Sequence, residues 1–313
     1  MKYLEHVNAL VKKEVASHPV IAFGQNITRG SCLGGFTRGI EPKKGGMTIN
    51  STNSENTLVG AGFGLMLEGA SAIFFMKQLD FLLLGIDQLI NTYNNIRSTS
   101  IPKALGSFTI MPLIVDNGYQ GPQSSFNNFA DVCTIAKIRG YTVTNKHDAR
   151  RILSKHMVSR GFRIIAVSQR LFGTELVALP RPLHVGKDDT VFQYSAGSDV
   201  TIVSCNFALP EAYRLTQECK KRGMSVAFFN INSPVQFDAR RIIESANKTK
   251  RLVVLDDSKS DNLPANSLLA SPDLQPLSAR ILLKRNLGKD WLYPVSDSFI
   301  VDYKSVVDAI RAS

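Results

Sequence analysis

The chain contains no run of eighteen or more apolar residues, so it offers no segment long enough to cross a bilayer as a helix. Its first stretch, MKYLEHVNALVKKEV, reads as an amphipathic helix with charges spread along it, unlike the apolar core of a signal peptide. The expectation is a cytoplasmic protein with no membrane partner. Cysteine is scarce: Cys32, Cys133, Cys205 and Cys219 stand far apart with no CxxC pair. That spacing argues against a zinc site and against a disulfide framework, and for reduced, mostly structural thiols. No GxSxG elbow occurs, and none of the histidines at 6, 18, 147, 156 and 184 can be paired with a serine on sequence grounds, so a serine-hydrolase triad finds no support. Internal repeats and low-complexity tracts are absent too.

Acidic charge is also short. The chain has 37 Lys and Arg against 26 Asp and Glu, a formal net charge of +11. The basic residues fall in small groups (Lys43 and Lys44, Arg150 and Arg151, residues 220–222, Arg240 and Arg241) without aromatic interleaving or zinc-finger spacing. Solvated helix faces and attraction to an anionic ligand or partner explain this better than nucleic acid, and no nucleic-acid partner is expected.

What the chain does have is length and apolar content, 313 residues at 44% hydrophobic, enough for two domains of ordinary size. Strand and helix signals alternate throughout. The pattern predicts a helix over 1–17, strands over 18–26 and 47–50, a helix from about 56, a strand over 71–75 and a helix over 81–97 with Leu84, Ile86, Leu89 and Ile90 on its apolar side. The stretch ITRGSCLGGFTRGIEPKKGG, with six glycines and a proline, reads as an exposed, mobile connection. FTIMPLIVD is a buried strand running into the loop NGYQGPQSSF, and helix, strand, helix and strand signals follow to residue 168. Residues 170–199, with Pro180, Pro182 and Gly186, read as a linker. A second unit then alternates VTIVSC, LPEAYRLTQECKKRG, SVAFFNI, DARRIIESANKT and RLVVLDD, with a strand over 279–283 and a closing helix over 303–312. Such alternation implies mostly parallel sheets covered on both faces, hence an α/β fold of two doubly wound domains.

The stretch 54–95, SENTLVGAGFGLMLEGASAIFFMKQLDFLLLGIDQLINTYNN, carries the chemistry. Gly60, Gly62 and Gly64 superficially mimic a dinucleotide-binding turn, but the third glycine comes one residue early and the residues before them look like a helix start, so close helix packing explains them better. Glu55 stands alone before that helix, where a single acid is ordinarily just a favourable charge at the positive end of the helix dipole. Its surroundings change the reading. Glu55, the glycine-rich helix, the strand, Asp80-Phe81 and Ile86-Asp87-Gln88 through Asn91 together resemble the beta subunit of thiamine-diphosphate-dependent 2-oxo acid dehydrogenases and, more loosely, the middle domain of transketolase. DVTIVSC, RLVVLDD and the final proline-then-helix pattern are similar to the transketolase C-terminal domain.

The resemblance implies a thiamine-diphosphate pyrimidine-binding domain over 1–185 followed by a transketolase C-terminal-like domain over 197–313. It implies that Glu55 hydrogen-bonds N1′ of the aminopyrimidine and that Phe81 stacks on that ring. The family needs an acid there because a carboxyl in dry surroundings can share a proton with the ring nitrogen and so activate the cofactor. Asp87, Gln88 and Asn91 are assigned to packing or subunit contact. The family's GDG followed about thirty residues later by Asn, which binds magnesium and the diphosphate, has no counterpart in this sequence. Magnesium is therefore expected mainly on a partner, an alpha-type subunit in an α2β2 assembly.

One departure stands out. Where the family carries a histidine in the substrate loop, this chain reads Gln123-Ser124-Ser125 with Ser124 at the histidine's place, and a serine cannot act as acid and base near neutral pH. Gln123, Ser124 and Ser125 are taken as the substrate loop for a small-molecule donor. Ser258, after Asp256 and Asp257, stands where the family has polar or histidine residues. The expected activity, with a partner subunit, is decarboxylation of a 2-oxo acid and transfer of the acyl unit. The alternatives are transketolase-like ketol transfer or a specialised carboligase and, from another class, a non-catalytic scaffold paralogue.

Overall fold

The structure is a computed structural model and describes residues 1–99, 104–117, 120–121, 126–285 and 299–313. The chain divides into two compact units, the first built on Met1–Asp116 and Gln123–Leu176, the second on Asn117–Pro122 and Val177–Ser313.

The first unit is organised by a six-stranded sheet: β1 (Val20–Gly24), β2 (Met47–Asn50), β3 (Ser71–Met76), β4 (Ser107–Ile114), β5 (Gly140–Thr142) and β6 (Gly161–Ser168), in the order β2-β1-β3-β4-β6-β5. Every pairing is parallel. Parallel strands buried on both faces should be apolar without alternation, and β4, SFTIMPLI, is buried at all eight positions. Helices α1 (Tyr3–Ser17), α2 (Glu55–Leu67), α3 (Tyr93–Ser98), α4 (Phe129–Ala136) and α5 (Lys146–His156) complete the unit. An aromatic core ties α2 to the sheet: Phe63 meets Phe108 edge-on at 5.1 Å and Phe162 at 4.9 Å, and Phe23 stacks on Phe74 at 5.3 Å.

The second unit holds β7 (His184–Val185), β8 (Val191–Ser195), β9 (Val200–Cys205), β10 (Val226–Ile231), β11 (Arg251–Asp256) and β12 (Ala279–Lys284), in the order β12-β11-β9-β10-β8-β7. Strands β12, β11, β9 and β10 pair in parallel, and β8 and β7 add an antiparallel edge. The helices here are α6 (Leu209–Lys221), α7 (Arg240–Thr249), α8 (Pro264–Leu269) and α9 (Tyr303–Ala312).

Three expectations need correcting. The glycine-rich residues 27–46 are not an exposed connection: Ile27, Phe36, Thr37 and Ile40 are buried, Phe36 packs edge-on against Phe75 at 5.7 Å, and the Thr37 hydroxyl donates to the Ile27 carbonyl at 2.7 Å. The glycines turn the chain tightly enough to fold this segment onto the sheet. The residues read as a linker include β7 and β8, and pairing of β8 with β10 and of β7 with β8 extends the second sheet. The expected α-helix over 81–97 is composite: a 3-10 helix over Leu79–Gly85, a π-helical turn over Gln88–Thr92, then α3. Tighter winding in the 3-10 segment rotates side chains away from α-helical phase. Leu82 is buried, while Leu84, expected on the apolar side, is 66% exposed.

Candidate functional site

In an open α/β sheet, ligands bind outside the carboxyl ends of the strands where the strand order reverses. The first sheet reverses at β1, with β2 on one side and β3 on the other. Both candidate cofactor residues leave the sheet there, Glu55 at the start of α2 shortly after β2 and Phe81 in the 3-10 helix shortly after β3.

Glu55 is the first residue of α2, where its charge complements the helix dipole. It is half-buried, and among the described residues no donor engages its carboxylate. The Ser54 hydroxyl turns to Thr57 Oγ1 at 2.9 Å, so helix capping leaves the acid free. Two glycines of α2, Gly60 and Gly62, serve contact. A Cβ at Gly62 would lie 2.2 Å from the Phe108 ring, and one at Gly60 would meet the Gln88 side chain at 3.4 Å. The dinucleotide-like spacing is thus a packing face. Gly85, at the end of the 3-10 helix, sits against the Glu55 carbonyl, where a Cβ would come within 3.2 Å, and against Val59 at 3.0 Å. Glu55's backbone is therefore held by the same element that carries Phe81. Phe81 is half-buried, and its neighbours Leu83 and Leu84 are exposed. Of the polar residues on the following turns, Asn91 donates to Asp87 at 2.5 Å and Thr92 to Gln88 at 2.7 Å, bonds local to the helix.

The exit of β4 is locked by a buried carboxylate that sequence reasoning did not single out as a site residue. Asp116 accepts from the Ser168 hydroxyl at 2.5 Å and from the Arg170 backbone N–H at 2.9 Å, joining the carboxyl ends of β4 and β6. Its signal in the sequence was an aspartate closing an otherwise apolar strand. Gln123, Ser124 and Ser125, together with Pro122, lie outside the described residues.

The second sheet has its own polar rim. Asn206 Nδ2 and the Phe207 N–H both donate to Asp257 Oδ1 at 2.9 Å, and Arg285 Nε donates to the Asp257 carbonyl at 3.0 Å. Burial, reinforced by the neighbouring Asp257 charge, pushes the Asp256 carboxyl up to about 7, although the Ser258 N–H donates to it at 3.0 Å. Ser258 is thus part of a buried turn around Asp256. All four cysteines are free thiols. Among the described residues there is no helix long and apolar enough to cross a membrane and no group of three or more His, Cys, Asp or Glu arranged to hold a metal.

Comparison with known proteins agrees with this architecture. Residues 190–261 match the family described as transketolase, C-terminal domain. The chain is 23% identical over 303 residues to 2-oxoisovalerate dehydrogenase subunit beta of Bacillus subtilis, covering 93% of this chain and 90% of that one. It is 20% identical to the pyruvate dehydrogenase E1 component subunit beta of Acholeplasma laidlawii over 85% and 82% of the two chains. Among solved structures, one titled as a split gene transketolase, inactive beta4 tetramer, superposes with a TM-score of 0.70 at 15% identity, over 98% of this chain and 96% of that one. At that identity it bears on the fold. The resemblance drawn from residues 54–95 and from the second unit is borne out, as is an α/β fold of two doubly wound units.

Proposed function

We propose that this chain is the beta-type subunit of a split thiamine-diphosphate-dependent enzyme that decarboxylates a 2-oxo acid and transfers the acyl unit. The observation that carries the reading is end-to-end likeness, both units in the same order, to beta subunits named for 2-oxo acid dehydrogenation. The transketolase likeness is lower in identity and concerns the fold, so the 2-oxo acid donor is preferred over a ketose.

The residues present fit one end of the cofactor. An unengaged carboxylate on Glu55 and an accessible ring on Phe81, both leaving the sheet at its switch point, suit an aminopyrimidine: Glu55 shares a proton at N1′, and Phe81 supplies a stacking face. Thiamine diphosphate, when bound, would supply a nucleophilic carbon able to add to the keto carbon of the substrate, so that the bond to the neighbouring carboxylate can break with loss of carbon dioxide. Gly85 and Gly62 fix where Glu55 stands, by holding its backbone and its helix against the 3-10 segment and the sheet. Glu55 is only half-buried in this chain, whereas sharing a proton with the ring nitrogen needs dry surroundings. An alpha-type partner, as α2β2, is the natural source of the missing cover and, since the sequence has no GDG-and-Asn pair, of the magnesium and diphosphate ligands. In this reading the first unit is the pyrimidine-binding domain, the second unit, which takes in β7 and β8 and so begins before residue 185, is the C-terminal-like domain, and Gln123, Ser124 and Ser125 border the donor.

The test is co-expression with a GDG-containing chain, followed by calorimetric titration of thiamine diphosphate. The cofactor is expected to bind the copurified complex and neither chain alone. Turnover of branched 2-oxo acids or pyruvate supports the donor assignment, and turnover of ketose phosphates instead replaces it with ketol transfer. A complex that binds no cofactor leaves only the scaffold reading.

A further inference from the structure

The second unit contains a cavity of about 470 Å³ that the proposed chemistry does not use. A volume of this order accommodates a small organic ligand. One wall is the β7–β8 hairpin, closed by the Gly186 N–H donating to the Val191 carbonyl at 2.7 Å, and the facing wall is the first turn of α7. Half-buried Val185, backed by the buried Val191 and Phe229, gives it an apolar side, and its charged lining has Lys187, Arg240 and Arg241 against Asp238 and Glu244.

These charges are not equivalent. Arg240 is engaged by Asp238 through two contacts, Nε to Oδ1 at 2.9 Å and Nη2 to Oδ2 at 2.6 Å, and the Arg240 pair lowers the Asp238 carboxyl to about 2. Asp238 therefore stays ionised and committed, and Glu244, one turn along α7, acts on the same guanidinium. Arg241 and Lys187 remain, and among the described residues neither has an acidic partner. His184, across the cavity, reports the resulting field: burial and then the Arg241 charge depress its imidazole, with Asp238 acting the other way. The α7 dipole adds positive potential at the same end, supplementing the side chains.

We propose that this cavity binds a small phosphomonoester, its dianionic head between Arg241 and Lys187 at the start of α7 and its apolar portion against Val185, Val191 and Phe229. Two uncommitted cations on different elements of one concave site call for a dianion, and guanidinium geometry suits phosphate oxygens. The apolar wall selects an ester over the free ion.

The test uses the full chain and phenyl phosphate as probe, with inorganic phosphate and phenol as comparators at constant ionic strength. Binding is read by calorimetry, and the His184 resonance, assigned with His184→Gln, is titrated with and without probe. Phenyl phosphate is expected to bind saturably, more tightly than either comparator, and to raise the His184 pKa because an anion offsets the Arg241 charge. Arg241→Gln should weaken binding about tenfold or more, the effect of losing one charge-assisted contact. Should Arg241→Gln fold poorly, Lys187→Gln, in an exposed turn, serves in its place. No saturable binding, an unmoved His184, insensitivity to both substitutions, or inorganic phosphate binding as tightly as the ester would each overturn the proposal.

Discussion

Replacing Gly62 by alanine sets two effects of opposite sign against each other. In the middle of α2, alanine is favoured over glycine by about 0.8–1.0 kcal/mol of helix propensity. Against this, the new Cβ would lie 2.2, 2.3 and 2.6 Å from three atoms of the Phe108 ring. Carbon atoms rest about 3.5–4.0 Å apart, so ring or helix must move by roughly 1 Å or more. The ring has little room: Phe108 is fully buried, with Phe63 at 5.1 Å, Phe162 at 5.2 Å and Phe23 at 6.4 Å around it. Overpacking of this kind costs about 1–3 kcal/mol, and with the ring boxed in the upper part of that range applies, leaving a net loss of about 1–2 kcal/mol. At about 2–4 °C per kcal/mol for a chain unit of this size, thermal unfolding should fall by about 2–8 °C. Gly64 is the internal control, since nothing lies within 4 Å of a Cβ there, and Gly64→Ala should be neutral or raise the midpoint. Paired melts of the two variants by circular dichroism decide the matter. A Gly62→Ala protein as stable as Gly64→Ala would refute the claim that α2 is glycine-rich for contact with the sheet.

Two further outcomes follow from buried groups. The folded Asp256 carboxyl titrates at about 7 against an ordinary 3.8, so the folded protein holds a proton that the unfolded chain has released between those values. Its contribution is fully present below pH 3.8 and is lost as pH rises to 7, an upper limit of about 4 kcal/mol at 1.36 kcal/mol per unit. Asp256→Asn should therefore flatten the decline of urea midpoint between pH 4 and 7, and an unchanged slope would contradict the assignment. Among the thiols, Cys32 is half-exposed, while Cys133, Cys205 and Cys219 are buried, with burial raising Cys219 to about 11 and the other two further. A thiol-disulfide dye at pH 8 should consume one equivalent in the native protein and four after denaturation.

The α/β alternation was legible because buried parallel strands such as β4 and β9 are mostly apolar, without a polar face, and the segments between them carry helix signals. Local pattern failed where a tertiary contact decides the backbone. Nothing in LDFLLLGIDQLINTYNN separates an α-helix from a 3-10 and π-helical mixture, since the deviation accompanies the approach of Gly85 to Glu55. The β7–β8 edge was obscured by Pro180, Pro182 and Gly186, which resemble linker residues but flank a hairpin whose register is fixed by β10. At the candidate site, Glu55 and Phe81 could be singled out only through their family resemblance, because one half-buried acid and one half-buried ring carry no signal of their own. Asp116 and the basic cavity escaped notice because their partners, Ser168 and Arg170 in one case and Lys187 and Arg241 in the other, are brought together only by folding.

Activation of the cofactor by Glu55 is the step on which the proposed function turns. It is tested most directly by the exchange rate of the thiamine-diphosphate C2 proton, followed by quenched-flow NMR in the complex with the partner chain, for the wild type and for Glu55→Ala. Exchange is expected well above that of free cofactor in the wild type, with a loss of at least about a hundredfold in the variant, the scale of a positioned acid-base group, and with complex formation retained. Exchange no faster than in free cofactor, or equally fast in Glu55→Ala, would contradict it.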